Sequence, residues 1–372
     1  MKLLIEKNTL MEGLNSVSKA LSNRTIIPVL NGIKFDLTKK GLYLTATDND
    51  ITIQSFIDKK YITNIEEPGC SIIYGKTLLE IIRRLTDNVL LIENFESNEV
   101  SFKTDNSFYN FNCFREDDFP IVNLEEQKDP IIINSKKFKE MINKTSFACS
   151  MQESRPLLTG VNIKIQGDLI ECTATDSYRL SKVSSKLDNV YTESVNIVVP
   201  ARNINEFVKV IDDESDIEMH IFSNKILFKY NNLIFQSSLL NGNYPNTDNS
   251  IAKDFKYVIK ADLKEFYSTL DRAALLTQSK DKNIIDVEIN NNEFIIRASS
   301  IEMGKVEERL QIENETNNNL KISFSAKYML EALKMFNKEK IYILLNGEIS
   351  PIILKEEENE ELIELILPMK TY

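Results

Sequence analysis

The chain of 372 residues carries a net charge of −11, and its hydrophobic share of 42% is ordinary for a globular protein. Its single histidine, His220, excludes most acid–base and triad schemes of catalysis, and four scattered cysteines without a C-x-x-C pair argue against a metal site. No apolar run approaches the roughly 18–20 residues that a membrane span needs, and no glycine-rich nucleotide loop is present. We therefore expect a cytoplasmic protein with reduced thiols, no cofactor and no membrane partner.

A strand that runs directly into a helix recurs along the chain. The first helix of each copy is predicted in Met1–Leu21, Pro130–Cys149 and Lys256–Thr277. A second helix opens at Lys76, Arg202 and Lys327. The repeat is about 125 residues long, which is the size of a whole domain and far longer than a solenoid unit of about 20–50 residues. Three copies fill the chain, so no separate catalytic domain is left over.

Strand patterns lie between the two helices of each repeat. Gly32–Leu37 and Val161–Ile165 alternate apolar and polar residues, as in a sheet with one buried and one solvated face. Leu42–Asp48 is repeated by Leu169–Asp176 and, in degenerate form, by Phe294–Ser300. Each repeat therefore combines two helices with antiparallel strands.

These patterns predict an α+β fold of three tandem, similar domains, each with two helices packed on antiparallel sheet. The boundaries are predicted in polar stretches with turn-forming residues, near 123–129 and 246–254. The predicted domains are residues 1–125, 126–250 and 251–372.

Basic residues concentrate on the predicted helices although the whole chain is acidic. Counted with their flanks, five of the six helices carry more basic than acidic residues, and the helix within Asp262–Lys282 is balanced. A basic surface on an acidic protein can still meet phosphates. Lysine is also common on helix faces that only contact solvent, so this pattern alone leaves both interpretations open.

Four segments resemble one known family: Arg24–Leu30, Thr173–Leu180, Gly242–Pro245 and Leu367–Lys370. Together with the three-fold repeat, they make the chain similar over its whole length to the bacterial DNA polymerase III β subunits, the replicative sliding clamps. The resemblance implies the DNA clamp fold and a head-to-tail homodimer whose six similar domains close a ring around duplex DNA. It also implies a non-catalytic processivity factor that binds the replicative DNA polymerase, the clamp loader and repair proteins through their short linear motifs.

The resemblance also implies which residues form each site. The DNA contacts would be Arg24, Lys76, Gln152 and Arg202. The client peptides would bind a hydrophobic cleft between the second and third domains, lined by Leu158, Thr175, Tyr178, Arg179, Leu180, Pro245, Ile349, Pro351, Leu365, Leu367, Pro368 and Met369. Tyr178 and Arg179 are expected at the rim. The tail from Leu365 to Met369 is expected to be an edge strand that points alternate side chains into the cleft.

Some positions depart from the family pattern. Asn249 and Ser250 follow the Tyr-Pro turn where relatives often have arginine and an apolar residue, and Tyr178 stands where some relatives have histidine. Leu157 replaces a tyrosine found in some relatives. These changes leave open which peptides the cleft prefers.

The implied dimer interface pairs two different surfaces. One is the strand that holds Tyr109 and Phe111, and the other holds Leu275 and Leu276. Apolar contact is expected to dominate there. The strand lacks the arginines that some relatives place opposite the acidic run formed by Glu302, Glu307 and Glu308.

Two alternatives remain at this point. Asp48 and Asp176 end matching T-A-T-D segments and could be paired catalytic carboxylates, although aspartate after a strand more often accepts hydrogen bonds from a turn. The chain could also be a repeat-built scaffold that binds peptides and never encircles DNA.

Overall fold

The computed structural model describes residues 1–21, 26–95, 98–212, 214–277, 283–300, 302–316, 318–357 and 359–369. The chain folds into two compact units. The first comprises Met1–Phe138 and Arg202–Leu239, and the second comprises Lys139–Ala201 and Leu240–Tyr372. The predicted boundaries near 125 and 250 divide the chain differently and stay a prediction. Among the described helices, none is long and apolar enough to cross a membrane.

Six α-helices occur in the described residues: α1 (Lys7–Val17), α2 (Gly75–Arg84), α3 (Ser135–Thr145), α4 (Ala201–Val208), α5 (Leu263–Ala274) and α6 (Ala326–Leu333). Each helix starts at the residue that follows a strand. The predicted strand-to-helix pattern is confirmed at the first helix of each repeat, and the second helices follow strands in the same way. The sequence repeat therefore corresponds to a recurring unit of one strand followed directly by one helix.

The strands of the described residues are β1 (Lys2–Glu6), β2 (Gly32–Thr38), β3 (Gly41–Thr47), β4 (Ile51–Asp58), β5 (Ile62–Glu67), β6 (Gly69–Tyr74), β7 (Val89–Phe95), β8 (Glu99–Lys103), β9 (Phe108–Phe114), β10 (Ile131–Asn134), β11 (Gly160–Thr175), β12 (Arg179–Pro200), β13 (Asp216–Ile221), β14 (Lys225–Tyr230), β15 (Leu233–Ser238), β16 (Tyr257–Asp262), β17 (Ile284–Asn290), β18 (Glu293–Ser300), β19 (Gly304–Gln311), β20 (Glu313–Asn314), β21 (Leu320–Ser325), β22 (Lys340–Leu345), β23 (Ile352–Glu356) and β24 (Asn359–Ile366).

The first unit contains one sheet of 13 strands, in the order β10-β13-β14-β15-β4-β3-β2-β6-β9-β8-β7-β1-β5. The second unit contains a sheet of seven strands, β11-β12-β24-β23-β22-β16-β20, and a sheet of four strands, β19-β18-β17-β21. All strand pairs in the described part of the chain are antiparallel, as the alternating patterns predict.

The helices pack on the sheets through one apolar face. In α2, Leu78, Leu79 and Ile82 are buried, while Lys76 and Glu80 on the opposite face are exposed. Residues three and four apart share a helix face, so this short sequence by itself determines which side faces the sheet. Burying each such side chain contributes about 1.5–3 kcal/mol relative to leaving it in water.

Phenylalanine rings form the core around α3 and α4. Phe207 of α4 stacks on Phe228 with ring centroids 4.4 Å apart, and Phe138 of α3 packs against both rings. All three side chains are fully buried. Since aromatic pairs at these separations add about 0.5–1.5 kcal/mol beyond the area they bury, this cluster fixes both helices on the strands beneath them.

The pairing of β12 with β24 joins sequence segments that lie far apart in the chain. Leu180 is opposite Leu365, and Ser181 is opposite Glu364. The Ser181 hydroxyl has one proton and lies 2.6 Å from the Lys144 carbonyl and 2.7 Å from Glu364 Oε1. If it donates to the carbonyl, the Glu364 carboxyl must be protonated to donate to the hydroxyl. Complete burial raises the pKa of Glu364 well above its usual range, which agrees with this arrangement.

We expect Glu364→Gln to stabilise the protein at neutral and alkaline pH, because an amide N–H can donate to Ser181 without ionising. Glutamate ionises in the unfolded chain near its ordinary pKa but stays protonated in the folded protein. The stability that the protonated Glu364 contributes to the wild-type protein is therefore fully present below the pKa of the unfolded state. It is lost as the pH rises towards the pKa of the folded state. Thermal unfolding followed at pH 5, 7 and 9 should show a variant whose Tm exceeds the wild-type Tm increasingly with pH. Parallel pH profiles would contradict the protonated carboxyl.

Candidate functional site

Two of the predicted DNA contacts lie in one recess of the first unit. Lys76 at the start of α2 and Arg202 at the start of α4 line an open cavity of about 520 Å³. Lys19, which follows α1, lines the same cavity. All three side chains are exposed. Sequence reasoning did not select Lys19 as a contact, although its place in a basic helix flank was a usable signal. We call this surface the basic recess.

The acidic residues of the basic recess are paired with cations that do not line it. Glu80 bonds Arg83 at 2.9 Å and Arg84 at 3.1 Å, and Glu206 bonds Lys209 at 2.8 Å. The recess is therefore more positive than its composition suggests. Such a surface attracts phosphate groups without reading base sequence.

Arg202 also contacts the turn after β3, where its guanidinium lies 3.4 Å from Asp48. Its side chain is 70% exposed, so the pair is a weak surface contact that leaves donors available. Of the two other predicted DNA contacts, Arg24 lies outside the described residues. Gln152 belongs to the second unit, where its side chain is exposed.

The apolar floor of the predicted cleft lies in the second unit. Leu180 and Leu365 are each 3% exposed and form a cluster with Leu344 and Ile353. Leu367 is partly buried and packs against the same cluster. Leu158 and Thr175 are also buried. The direct pairing of Leu180 with Leu365 across β12 and β24 buries both side chains, and their assignment to the wall of the cleft stays a prediction.

The structure buries Arg179, which the resemblance implies at the rim of the cleft, and its contact with a peptide stays a prediction. Its guanidinium is buried and bonds Asp176 at 3.1 Å, the Phe147 carbonyl at 2.8 Å, and Glu331 of α6. It also stacks against the Phe147 and Tyr328 rings. A buried charge needs partners of this kind to offset its desolvation, so Arg179 has a structural role here. We call these residues the Arg179 cluster.

The Tyr-Pro turn is linked to the strand end that carries Thr175. The Tyr244 hydroxyl accepts a hydrogen bond from the Thr175 N–H at 3.1 Å. Pro245 follows and is exposed. Gly242, in the left-handed region at a φ of 135°, permits the approach of Leu157, because an added Cβ would lie 2.8 Å from its side chain. The exposed face of Pro245 is thus held near Thr175, as the cleft requires.

The C-terminal tail departs from the predicted edge strand. Strand β24 ends at Ile366 and is paired on both sides, with β12 and β23. Beyond it, the Leu367 N–H donates to the Tyr178 carbonyl at 2.9 Å and the Met369 N–H donates to the Ser323 carbonyl at 2.7 Å. Pro368 has no N–H to donate, which prevents a continuous ladder.

The exposed part of the predicted cleft consists of a few side chains. Tyr178 is 55% exposed and Ile349 is 77% exposed. Pro351, Pro368 and Met369 are partly exposed. Ile349 and Met369 line one cavity together. We call this set of side chains, together with Pro245 and Leu367, the client surface.

Each unit carries one of the surfaces predicted for dimer formation. Residues 108–112 of β9 pair with β8 on one side, and in the described residues their other edge is open. Tyr109 and Phe111 are half-buried and stack at 6.4 Å, whereas Phe108 is 65% exposed. Phe108 is therefore the more accessible apolar group on this strand.

The second surface lies near β19, which pairs only with β18 in the described residues and so forms a sheet edge. Leu275 is 57% exposed and Leu276 is partly buried. Two of the three acidic residues of the run are neutralised within their own domain, because Glu307 bonds Arg297 and Arg309, and Glu308 bonds Arg272 at 2.8 Å. These bonds lower the pKa of Glu307 and Glu308. The missing arginines on β9 are therefore not required to neutralise these two charges.

Comparisons with known proteins show which family the chain belongs to. Sequence models of the DNA polymerase III beta subunit match the chain in three parts: the N-terminal domain at residues 1–124, the central domain at 132–246 and the C-terminal domain at 249–370. The chain belongs to the DNA polymerase III beta subunit family. The fold is accordingly a set of three clamp domains, each mixing helices with antiparallel sheet.

Individual relatives match this chain over their full length. The beta sliding clamp of Bacillus subtilis (strain 168) is 36% identical over 378 residues, and that of Staphylococcus aureus (strain N315) is 33% identical over 377 residues, with 100% of both chains covered in each case. The crystal structure of the Bacillus subtilis DNA polymerase sliding clamp has a TM-score of 0.96 at 36% identity. The DNA polymerase III beta chain of Streptococcus pneumoniae has a TM-score of 0.95 at 30% identity. Both structural matches cover 100% of each chain.

The aspartates of the two matching T-A-T-D segments accept backbone hydrogen bonds in turns. Asp48 Oδ1 accepts the N–H groups of Asp50 and Ile51, and Asp176 Oδ1 accepts those of Tyr178 and Arg179. The residue after each aspartate has a positive φ, 77° at Asn49 and 78° at Ser177. The two turns share one geometry because they occupy equivalent places in two repeats. Their carboxylates are used structurally.

His220 lies with Glu126 and Glu218 in a group with metal-ligand chemistry. Its Nδ1 accepts the Gln127 N–H at 2.9 Å, so the proton of the neutral ring is on Nε2. A protonated Nε2 cannot ligate a metal. Lys229 already neutralises the carboxylates, at 2.8 Å from Glu126 and 3.7 Å from Glu218. This geometry disfavours a metal at these residues.

The four thiols are free cysteines. Burial raises the pKa of Cys149 and Cys172 to about 12, and that of the half-buried Cys113 to about 11. Such thiols stay protonated at neutral pH and are poor nucleophiles.

Proposed function

We propose that the chain is a DNA polymerase processivity factor: a sliding clamp whose head-to-tail dimer encircles duplex DNA without sequence specificity. The clamp tethers the replicative polymerase, the clamp loader and repair proteins through short peptide motifs that bind the client surface. The match of all three family models, which together run along almost the whole chain, carries this proposal. The curated relatives are named beta sliding clamps, which supports the same function.

The basic recess supports a role in contacting DNA. A closed ring is retained on DNA by topology, so weak phosphate contacts suffice and tight contacts would slow its movement. Exposed Lys19, Lys76 and Arg202 provide such contacts, and the pairing of Glu80 and Glu206 with other cations limits repulsion of the phosphates. Gln152 and Arg24 remain proposed contacts.

We propose a non-catalytic role for the chain. Asp48 and Asp176 have their carboxylates engaged in turns, and the only histidine is buried with its Nδ1 bonded to backbone. An active site would need a nucleophile or acid–base pair that can reach a substrate.

The proposal is tested by loading the protein onto nicked circular DNA with the loader of the same organism and then cutting the circle. A ring should remain on the intact circle and slide off the linear product, as measured by gel filtration. A scaffold that binds without encircling would show equal retention on both forms.

Replacing Lys19, Lys76 and Arg202 by alanine should reduce retention similarly on DNAs of different sequence. The slope of the logarithm of retention against the logarithm of salt concentration should become shallower by roughly one unit for each lost phosphate contact. Retention measured over a range of salt concentrations gives this slope. A matched control removes the same charge from the exposed turn residues Lys39, Lys40 and Lys59. A recess variant that behaves like wild type at every salt concentration would exclude the recess as a DNA contact.

The proposed dimer joins β9 of one copy to the β19 side of another copy. The open edge of β9 and the edge strand β19 can extend one sheet across the boundary, with exposed Phe108 and Leu275 as apolar contacts. Two different surfaces that meet head to tail form a closed ring when the rotation allows it.

Substituting Phe108 and Leu275 by alanine should lower the affinity of the dimer at least about tenfold. Each substitution removes an exposed apolar contact and leaves the core of the domain that carries it intact. Sedimentation velocity over a concentration series measures the change. Substitution of exposed Val190 and Met151 by alanine serves as the control and should leave the dimer unchanged. A dimer of undiminished affinity in the first variant would place the interface elsewhere.

The client surface is proposed to bind peptides with a glutamine and a leucine or phenylalanine anchor. Because Leu367 packs on the core cluster, deletion of the tail would also disturb folding. We therefore choose exposed residues, and expect Tyr178→Ala with Ile349→Ala to weaken peptide binding at least about tenfold. Calorimetry with one peptide measures the change, and Val190→Ala is the matched control. Unchanged affinity in the double variant would mean that clients bind another surface.

A further inference from the structure

A charged pocket adjoins the client surface on the four-stranded sheet. Its cavity volume is about 460 Å³. Asp286 and Glu288 of β17, Arg297 of β18 and Lys321 of β21 line it with Glu348. Ile349 and Met369 also line it, so two residues of the client surface form part of its wall. We call this cavity the flank pocket.

The two basic residues of the flank pocket are already neutralised. Arg297 bonds Glu288 at 2.7 Å and Glu307 at 2.8 Å, and Lys321 lies 3.6 Å from Glu288. Their charges are therefore satisfied without a ligand. A bound anion would have to compete with carboxylates that are already in place.

Two carboxylates of the flank pocket are not neutralised. In the described part of the chain, neither Asp286 nor Glu348 has a lysine or arginine within ion-pair distance. Asp286 accepts a hydrogen bond from the Ser323 hydroxyl at 2.5 Å, which orients the carboxylate and leaves its charge in place. Both residues are exposed. The pocket therefore has an acidic excess that a cationic side chain can complement.

The flank pocket and the client surface share backbone as well as side chains. The Met369 N–H bonds the Ser323 carbonyl at 2.7 Å, and Ser323 also bonds Asp286. The tail is thereby fixed against β21, next to the acidic end of the pocket. Glu348 directly precedes Ile349, which is 77% exposed. A peptide whose apolar anchor contacts Ile349 and Met369 has a neighbouring residue within reach of these carboxylates.

We propose that the flank pocket extends the client surface and selects peptides that carry a lysine or arginine beside the apolar anchor. This inference rests on the proposed client function and specifies the chemistry of its preferred ligands. The apolar anchor supplies most of the affinity, while Asp286 and Glu348 discriminate by the charge of the flanking residue.

The test uses the full-length protein and three matched heptapeptides. Each contains one glutamine, one leucine and one phenylalanine. The three peptides differ only in the residue beside the apolar anchor, which is lysine, glutamate or alanine, and the remaining positions are alanine. Binding is measured by calorimetry at low salt, where surface charges are least screened. The lysine peptide should bind about three- to tenfold tighter than the glutamate peptide, as expected for exposed charge pairs. The advantage should shrink at high salt.

Substituting Asp286→Asn and Glu348→Gln should reduce the lysine preference to less than about twofold while leaving the affinity of the neutral peptide unchanged. Asparagine can still accept the Ser323 hydrogen bond, so the variant removes charge with little change of structure. Glu302→Gln, in the turn before the opposite edge strand β19, is the control and should keep the preference.

The outcomes separate this inference from the function on which it rests. Equal affinity for the lysine and glutamate peptides, or a preference that survives in the double variant, would overturn the flank pocket while the neutral peptide still binds. Failure of every peptide to bind the wild-type protein would overturn the client function itself, and the flank pocket with it.

Discussion

The pairing of β12 with β24 is the interaction on which the second unit's functional surface depends. It holds Leu180 against Leu365, and its extension places Leu367 beside Tyr178. The residues of the client surface come from sequence segments that have no local reason to meet. Since they meet only while this ladder is intact, the surface is a property of the paired strands and not of either segment.

Two polar features stabilise the pairing of β12 with β24. Glu364 is buried opposite Ser181, where protonation removes the cost of an isolated buried charge. Asp176, Glu331 and two aromatic rings surround the buried Arg179 guanidinium and offset its desolvation. Truncating one member of such a buried group is costly because the others lose their partner. The Arg179 cluster therefore holds α6 to the turn that carries Tyr178.

Local ion pairs determine which surfaces of this protein are positive and which are negative. The net charge of −11 would repel DNA as a whole, yet the basic recess presents three cations while its two carboxylates are paired with arginines or lysine outside it. The flank pocket shows the opposite case, in which the basic residues are neutralised and two carboxylates are left. In each pocket the ion pairs, and not the residue counts, determine which ligand charge is attracted.

The sequence by itself determined the elements and their repetition. Apolar periodicity and the recurring strand-to-helix junctions predicted six helices, and alternation predicted the antiparallel strands, because both signals are local. The recurrence of Lys76 and Arg202 at equivalent helix starts also identified two residues of the basic recess. The sequence could not predict that Arg179 is buried or that β24 lies inside its sheet. It also could not reveal the flank pocket, whose residues come from β17, β18, β21 and the tail. These features depend on contacts between residues far apart in the chain, and only tertiary structure decides which distant charges pair and which remain open to a ligand.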